Sequence, residues 1–203
     1  MMKSFTEKSK AAYNKMAADY DNNYEGRFTQ PFKEHLFQVI TLRDGDTVLD
    51  VACGTGSLLR MLASKADING FGADLSDEMV RVASKANPPM TFVSAGCEHI
   101  PFKAGQFDII TVCCAYHHFP DVQAFAKEAQ RLLKPGGGLY IAEIYLPAFC
   151  RVVLNPFVPL LPDGDVRLYS VKQIVRNFEP FGFKRVDVQI AENRQILCME
   201  KQV

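Results

Sequence analysis

The run Val48-Leu-Asp-Val-Ala-Cys-Gly-Thr-Gly56 carries the densest chemical signal in the chain: an apolar strand flows into a turn of small residues, and a helix opens near Ser57. Glycine lacks a Cβ, so at Gly54 and Gly56 a ligand can lie directly against the backbone. In open α/β sheets the carboxyl end of the first strand, beside the reversal of strand order, is where ligands bind. Eighteen residues after Gly56, Asp74 closes a second apolar run in Gly72-Ala-Asp-Leu-Ser76. A carboxylate there accepts hydrogen bonds from both hydroxyls of a ribose. A Gly-x-Gly turn alone also ends strands for packing reasons, but the two features together point to a nucleoside-bearing cofactor.

The detail of the turn separates two cofactor classes. A nicotinamide dinucleotide asks for G-x-G-x-x-G, so that backbone meets pyrophosphate and the helix packs close, yet Leu59 holds the third glycine position. S-adenosyl-L-methionine has no phosphate and carries an amino acid beside its sulfonium. An acidic residue on the first strand suits its ammonium, and Asp50 supplies that charge, directly or through water. His117 and His118 follow the fourth apolar run, where an acceptor should sit. His117 is the candidate to take a proton from a nucleophile, the alternative being that one imidazole caps the loop and the other packs on Phe119. No metal site can be assembled from the spacings of histidine, cysteine and acid.

The elements that must position these residues follow from patterning. Runs rich in Val, Ile and Phe (TVLDVA, NGFGAD, MTFVSA, FDIITVCC, GLYIAEI) alternate with amphipathic stretches, which predicts a parallel sheet covered on both faces. The connection HIPFKAG is broken by Pro101 and Gly105 and is expected to be a loop or single turn. Val122, Phe125, Ala126, Ala129, Leu132 and Leu133 recur at helical period before Pro135 and three glycines end the helix. Ser170 with Gln173 reads as a capping box opening a helix from Val171 to Phe181, and Gly182 turns the chain into a hairpin of KRVDVQI and QILCME about Ala191–Arg194. The expected fold class is therefore α/β: Rossmann-like, doubly wound, with a mostly parallel seven-stranded sheet ending in an antiparallel C-terminal hairpin strand.

Residues 1–203 read as one domain, with no repeat, linker or charge block. A helix over Phe5 to Tyr20, in an N-terminal helical cap of residues 1–40, lies before the sheet begins and so packs on its outside or over the cofactor site. The apolar, proline-rich LPAFCRVVLNPFVPLLPDGD opens an insert at 146–169, expected to form a substrate-side lid or to pack an extra apolar patch. Lys and Arg total 23, as do Asp and Glu, so no net charge favours nucleic acid or an anionic membrane. The polar start MMKSFTEKSK and the lack of any run near the roughly 18 apolar residues that span a bilayer predict no stable membrane insertion. Six cysteines without C-x-x-C pairing read as free thiols in a reducing, cytoplasmic setting.

Taken together, these segments resemble the class I S-adenosylmethionine-dependent methyltransferases, in the small-molecule branch that includes the ubiquinone and menaquinone biosynthesis C-methyltransferases. VLDVACGTG resembles the first motif, with Ala52 where many members have another glycine, followed by Cys53 and Gly54. GADLSDEMV resembles the second, which puts Asp74 on the ribose, Leu75 beside it and Met79 near the adenine. CEHIPF, with Cys97 and Glu98, resembles the stretch that wraps the adenine. Gly96 departs from the pattern, because many relatives have an Asp there that accepts from the adenine amino group. Backbone groups around it would take over, at the loss of a hydrogen bond worth about 0.5–1.5 kcal/mol and hence with weaker cofactor affinity. FDIITVCCAYHHFPD, with Cys113, resembles the fourth-strand motif beneath the transferred methyl, and LLKPGGGLYIAE completes the set. The resemblance also folds the front helix over the methionine end of the cofactor, with Tyr20 and Tyr13 as aromatic neighbours of the sulfonium or as ordinary core residues. It implies in-line methyl transfer to a small-molecule acceptor with S-adenosyl-L-homocysteine as product, by a monomer or homodimer. A non-catalytic cofactor-binding or regulatory protein on the same fold is the alternative, and a nicotinamide-dependent dehydrogenase a more distant one.

Overall fold

The computed structural model describes Met2–Gln202. Among these residues the strands β1 (Thr47–Val51), β2 (Asn69–Asp74), β3 (Thr91–Ser94), β4 (Phe107–Cys113), β5 (Leu133–Ile144), β6 (Phe183–Ala191) and β7 (Arg194–Lys201) form one seven-stranded sheet in the order β3-β2-β1-β4-β5-β7-β6. The first five run parallel, and β7 lies antiparallel between β5 and β6. Strand side chains alternate between two cores. Leu49, Val51, Ile110 and Val112 pack with Phe125 and Ile174 on one face, while Val48 and Ile109 pack with Phe32, Leu36 and Leu58 on the other. Burial on both faces is why these strands read as near-continuous apolar runs.

Seven helices, α1 (Met2–Met16), α2 (Tyr24–Val39), α3 (Ser57–Ala63), α4 (Asp77–Ala86), α5 (Val122–Leu132), α6 (Ala148–Leu154) and α7 (Val171–Phe178), surround the sheet among the described residues. The expected front helix stops earlier than its pattern suggested. At Asp19 the backbone leaves helical geometry (φ −124°, ψ 16°), and Ala17–Asn22 forms a tighter 3-10 turn that carries Tyr20. Gly26 lets this turn lie on α2, since a Cβ there would stand 2.0 Å from the Tyr20 carbonyl oxygen. The last helix also shortens: α7 ends at Phe178 and Glu179–Phe181 closes as a 3-10 turn, because Pro180 has no N–H to continue the ladder. Its capping box between Ser170 and Gln173 is present, and residues 95–106 hold no helix.

Polar contacts fasten the N-terminal helices over the ends of β1 and β2. The Asn14 side-chain oxygen accepts from the Ser76 hydroxyl (2.6 Å) and from the backbone N–H of Glu78 (3.3 Å), Lys10 pairs with Asp77 (2.7 Å), and Thr55 donates to Asp21 (2.8 Å). The segment after β5 returns to the same end of the sheet, where the backbone N–H groups of Val166 and Arg167 donate to the His117 carbonyl (2.8 and 3.2 Å). No helix among the described residues is long and apolar enough to cross a membrane.

Candidate active site

The sheet reverses its strand order between β1 and β4, and a cavity of about 800 Å³, its mouth included, opens at their carboxyl ends. Its floor is the turn after β1, with Val51, Ala52 and Gly54, and the end of β2, with Asp74, Leu75 and Met79. One wall is the loop after β3, with Gly96, Cys97 and Glu98, and the far wall follows β4, with Cys113, Cys114, Ala115 and His118. Thr6, Ser9, Tyr13 and Tyr20 roof it from the N-terminal helices.

Backbone geometry shapes the floor. Ala52, Gly54 and Gly56 all take left-handed conformations (φ 59°, 53° and 73°), and a Cβ built on Gly54 would meet nothing within 4 Å. Gly54 thus leaves an open cradle against the main chain. Asp74 sets the turn: its carboxylate accepts from the backbone N–H of Gly54 and of Ser76, each at 2.8 Å. Burial pushes its pKa up and these two hydrogen bonds push it back. Each oxygen retains a lone pair for a further donor. The loop after β3 is held from behind by α5, where Glu128 accepts from the N–H of Ile100 (2.7 Å) and Arg131 donates to the carbonyls of Ile100 and Phe102.

A smaller cavity adjoins the first, sharing Tyr20, Ala52, Gly54 and Cys113 as walls. It contains Asp50, Cys53 and a residue absent from the sequence reading, Lys33 of α2. Asp50 is 2% exposed and accepts from the Thr111 hydroxyl at 2.7 Å. Burial pushes its pKa up to about 7, against the lowering effects of that hydrogen bond and of Lys33. Lys33 is itself buried, with its ammonium 5.7 Å from the centre of the Tyr20 ring. An acid and a base therefore share a small polar chamber beside an aromatic ring.

At the opposite end the two histidines take different positions. His118 lines the main cavity, with its Nε2 3.0 Å from the Tyr13 hydroxyl. His117, the expected proton acceptor, is not on the cavity wall. Its Nδ1 lies 2.8 and 2.9 Å from the two oxygens of the fully buried Glu143 carboxylate, and Glu143 also accepts from the backbone N–H of His117 and Ile144. Burial acts to lower the His117 pKa, but Glu143 and Asp165 outweigh it and leave it raised. His118 is pushed well down by burial and by His117, partly opposed by the Gly164 backbone.

Of the residues singled out from sequence, Tyr20, Ala52, Gly54, Asp74, Leu75, Met79, Gly96, Cys97, Glu98 and Cys113 all meet at the main cavity. Asp50 and Cys53 lie in the adjoining chamber. Cys53 turns toward β2, where a Cβ on Gly72 would stand 2.7 Å from its sulfur. Lys33, Glu143 and Asp165 were missed. The signal for Lys33 was a lysine within the helical stripe Thr29, Phe32, Lys33, Leu36. The two acids gave none, because only the fold brings them to the histidines.

Strand order, the antiparallel last strand and a cavity over the β1 turn define the class I methyltransferase architecture. Residues 49–141 match the family described as a methyltransferase domain. The chain is 39% identical over 161 residues to the 2-methyl-6-phytyl-1,4-hydroquinone methyltransferase of Synechocystis, covering 75% of this chain and 51% of that protein. It is 30% identical over 193 residues to the demethylmenaquinone methyltransferase of Lactococcus lactis, covering 85% and 74%. Among solved structures, a putative methyltransferase of Haloferax volcanii in complex with the Trm112 methyltransferase activator superposes with a TM-score of 0.82 at 20% identity, over 94% of this chain and 98% of that one. The chain belongs to the class I S-adenosylmethionine-dependent methyltransferases, in the branch of the ubiquinone and menaquinone biosynthesis methyltransferases. It spans about half the length of several of the curated relatives it matches.

Proposed function

We propose that this protein transfers the methyl group of S-adenosyl-L-methionine to a small, apolar acceptor of the hydroquinone class. The observation that carries the reading is the meeting, around one cavity, of the open Gly54 cradle, the Asp74 carboxylate and the loop at Gly96–Glu98. Asp74 offers its free lone pairs to the ribose hydroxyls, while Leu75 and Met79 pack on the adenine and the backbone around Gly96 and Cys97 meets its edge. Asp50 and Lys33, which border the adjoining chamber, receive the ammonium and carboxylate of the methionine end. Tyr20 and Tyr13 present ring faces to the sulfonium, an attraction of roughly 0.5–2 kcal/mol depending on desolvation.

When bound, the cofactor supplies an electrophilic methyl: the acceptor's electron pair forms the new bond, the C–S pair stays on sulfur, and S-adenosyl-L-homocysteine leaves. The protein's contribution is to align the two reactants, which in favourable cases lowers a barrier by about 7–11 kcal/mol. Cys113, Cys114 and Ala115 form the wall under the reacting methyl, and His118 with Tyr13 stands at the acceptor end. The position first given to His117 thus falls to His118, since His117 faces Glu143 instead of the cavity. Residues 146–169 form the acceptor-side insert, and Phe149 and Leu160, 80% and 76% exposed, give it an apolar face suited to such a molecule. A non-catalytic binder would be expected to close this end, whereas the cavity reaches His118, Phe119 and Pro120.

The test has two parts. Calorimetric titration with S-adenosyl-L-homocysteine should give saturable binding at one site per chain. Mass spectrometry after incubation with S-adenosyl-L-methionine and a panel of prenylated hydroquinones should then show a methylated product. Absence of binding overturns the cofactor assignment, and binding without turnover on any quinol, phenol, amine or thiol overturns the enzymatic one.

A further inference from the structure

His117 and His118 meet a third group that the sequence places far away. Asp165, on the insert, brings its Oδ1 to 3.4 Å from His117 Nε2 and 3.0 Å from His118 Nδ1, and the three donor atoms lie within 4.8 Å of one another. His118 Nδ1 and Asp165 Oδ1 are buried, and neither meets hydrogen-bond geometry with any partner among the described residues. An imidazole nitrogen 3.0 Å from a carboxylate oxygen, outside hydrogen-bond geometry, can be bridged by a cation that both atoms ligate. We propose that His117, His118 and Asp165 bind one divalent transition-metal ion, of the zinc, iron or manganese class, at the acceptor end of the cavity.

Two further observations agree. Ligand atoms about 2.0–2.2 Å from a common ion are separated by about 3.0–3.5 Å when adjacent, which is the range of the two short edges. Metal-binding imidazoles are held by hydrogen bonds at their other nitrogen, and here His117 Nδ1 sits on Glu143 while His118 Nε2 sits on the Tyr13 hydroxyl. Two imidazoles and one carboxylate leave coordination positions open, so the ion takes an acceptor oxygen and lowers its pKa. That last role rests on the methyltransferase reading and narrows the acceptor to a molecule with a phenolic, enolic or carbonyl oxygen beside the methylated atom.

The measurement is titration of the chelator-stripped chain with Co²⁺, followed by visible absorption and calorimetry, on the native protein and on Asp165→Ala, Asp165→Asn and the surface control His35→Ala. The expected result is one Co²⁺ per chain with ligand-field absorption, at least tenfold weaker in both Asp165 variants and unchanged in the control. No saturable binding by the native chain, or equal binding by both Asp165 variants, overturns the site. S-adenosyl-L-homocysteine affinity is read on the same samples. It reports that the variants are folded, and a chain that binds Co²⁺ but not this nucleoside retains the metal site and loses only the cofactor assignment.

Discussion

Asp50 gives the sharpest test of how the cofactor is held, because its protonation should gate binding. With a pKa of about 7 in the free protein, its carboxyl is about one-tenth ionised at pH 6 and about nine-tenths ionised at pH 8. If only the ionised form accepts the ammonium of the cofactor, the apparent affinity scales with that fraction and tightens roughly tenfold between these pH values. The same shift has a stability signature of definite sign. An acid whose folded pKa lies above its unfolded value holds a proton that the unfolded chain has released, so stability falls as pH rises from about 4 to about 7 and levels off above it. A shift from 3.8 to about 7 corresponds to roughly 4 kcal/mol as an upper figure. Calorimetry with S-adenosyl-L-homocysteine at pH 6, 7 and 8, run on native protein and on Asp50→Asn, reads the first effect. Urea denaturation across pH 4–8 reads the second. The variant should bind weakly with a flat pH profile and should be more stable than the native chain at pH 8. A native affinity that does not change with pH, or the same slope in Asp50→Asn, refutes the reasoning.

Three other outcomes follow. Asp74→Asn should weaken S-adenosyl-L-homocysteine binding by ten- to a hundredfold, since a charge-assisted hydrogen bond contributes about 1.5–3 kcal/mol; unchanged affinity by calorimetry would place the ribose elsewhere. Lys33→Met should weaken binding of S-adenosyl-L-homocysteine but not of its decarboxylated analogue, and equal losses for the two would remove Lys33 from the carboxylate. Ala52→Gly should raise the thermal midpoint, because an alanine at φ 59° is strained and its relief is worth about 1 kcal/mol. A lowered midpoint would mean that the Ala52 methyl contributes more by packing than it costs in strain.

How much of this was legible in the sequence depends on whether the signal was local. The glycine turn, Asp74 and the strands that carry them could be read because the apolar runs and turn residues lie within a few positions of the groups they place. The capping box at Ser170 was local in the same way. Tyr20 was assigned to the site but to the wrong element, since nothing in AAYNKMAADYD marks Asp19 as the point where the helix tightens. Lys33 was passed over because a lysine on a helix is ordinarily solvated, and only its burial beside Asp50 and Tyr20 sets it apart. The pairing of His117 with Glu143 needs the fifth strand beside the fourth, and Asp165 reaches both histidines only when the insert folds back on the His117 carbonyl. Sequence spacing holds no trace of either contact.

The site thus has two mechanically different halves. The half proposed to hold the nucleoside is built on the ends of β1 and β2, whose flanking side chains sit in cores closed on both faces, and so it keeps its shape as long as the sheet does. The roof over the reacting end packs chiefly through Ala17, Tyr20 and Met79 and is tied down by polar contacts such as Asn14 with Ser76 and Thr55 with Asp21. The Lys10–Asp77 pair is solvent-exposed and adds little. Regions with few buried apolar contacts open at lower free energy than the global unfolding of the domain. The roof is therefore the part that can part from the sheet while the fold persists, which under the proposed function admits the cofactor to the chamber of Tyr20, Lys33 and Asp50. On the proposed reading, the residues for the nucleoside are fixed in advance, and those that exclude water from the sulfonium come to bear as α1 and the turn at Ala17–Asn22 settle over it.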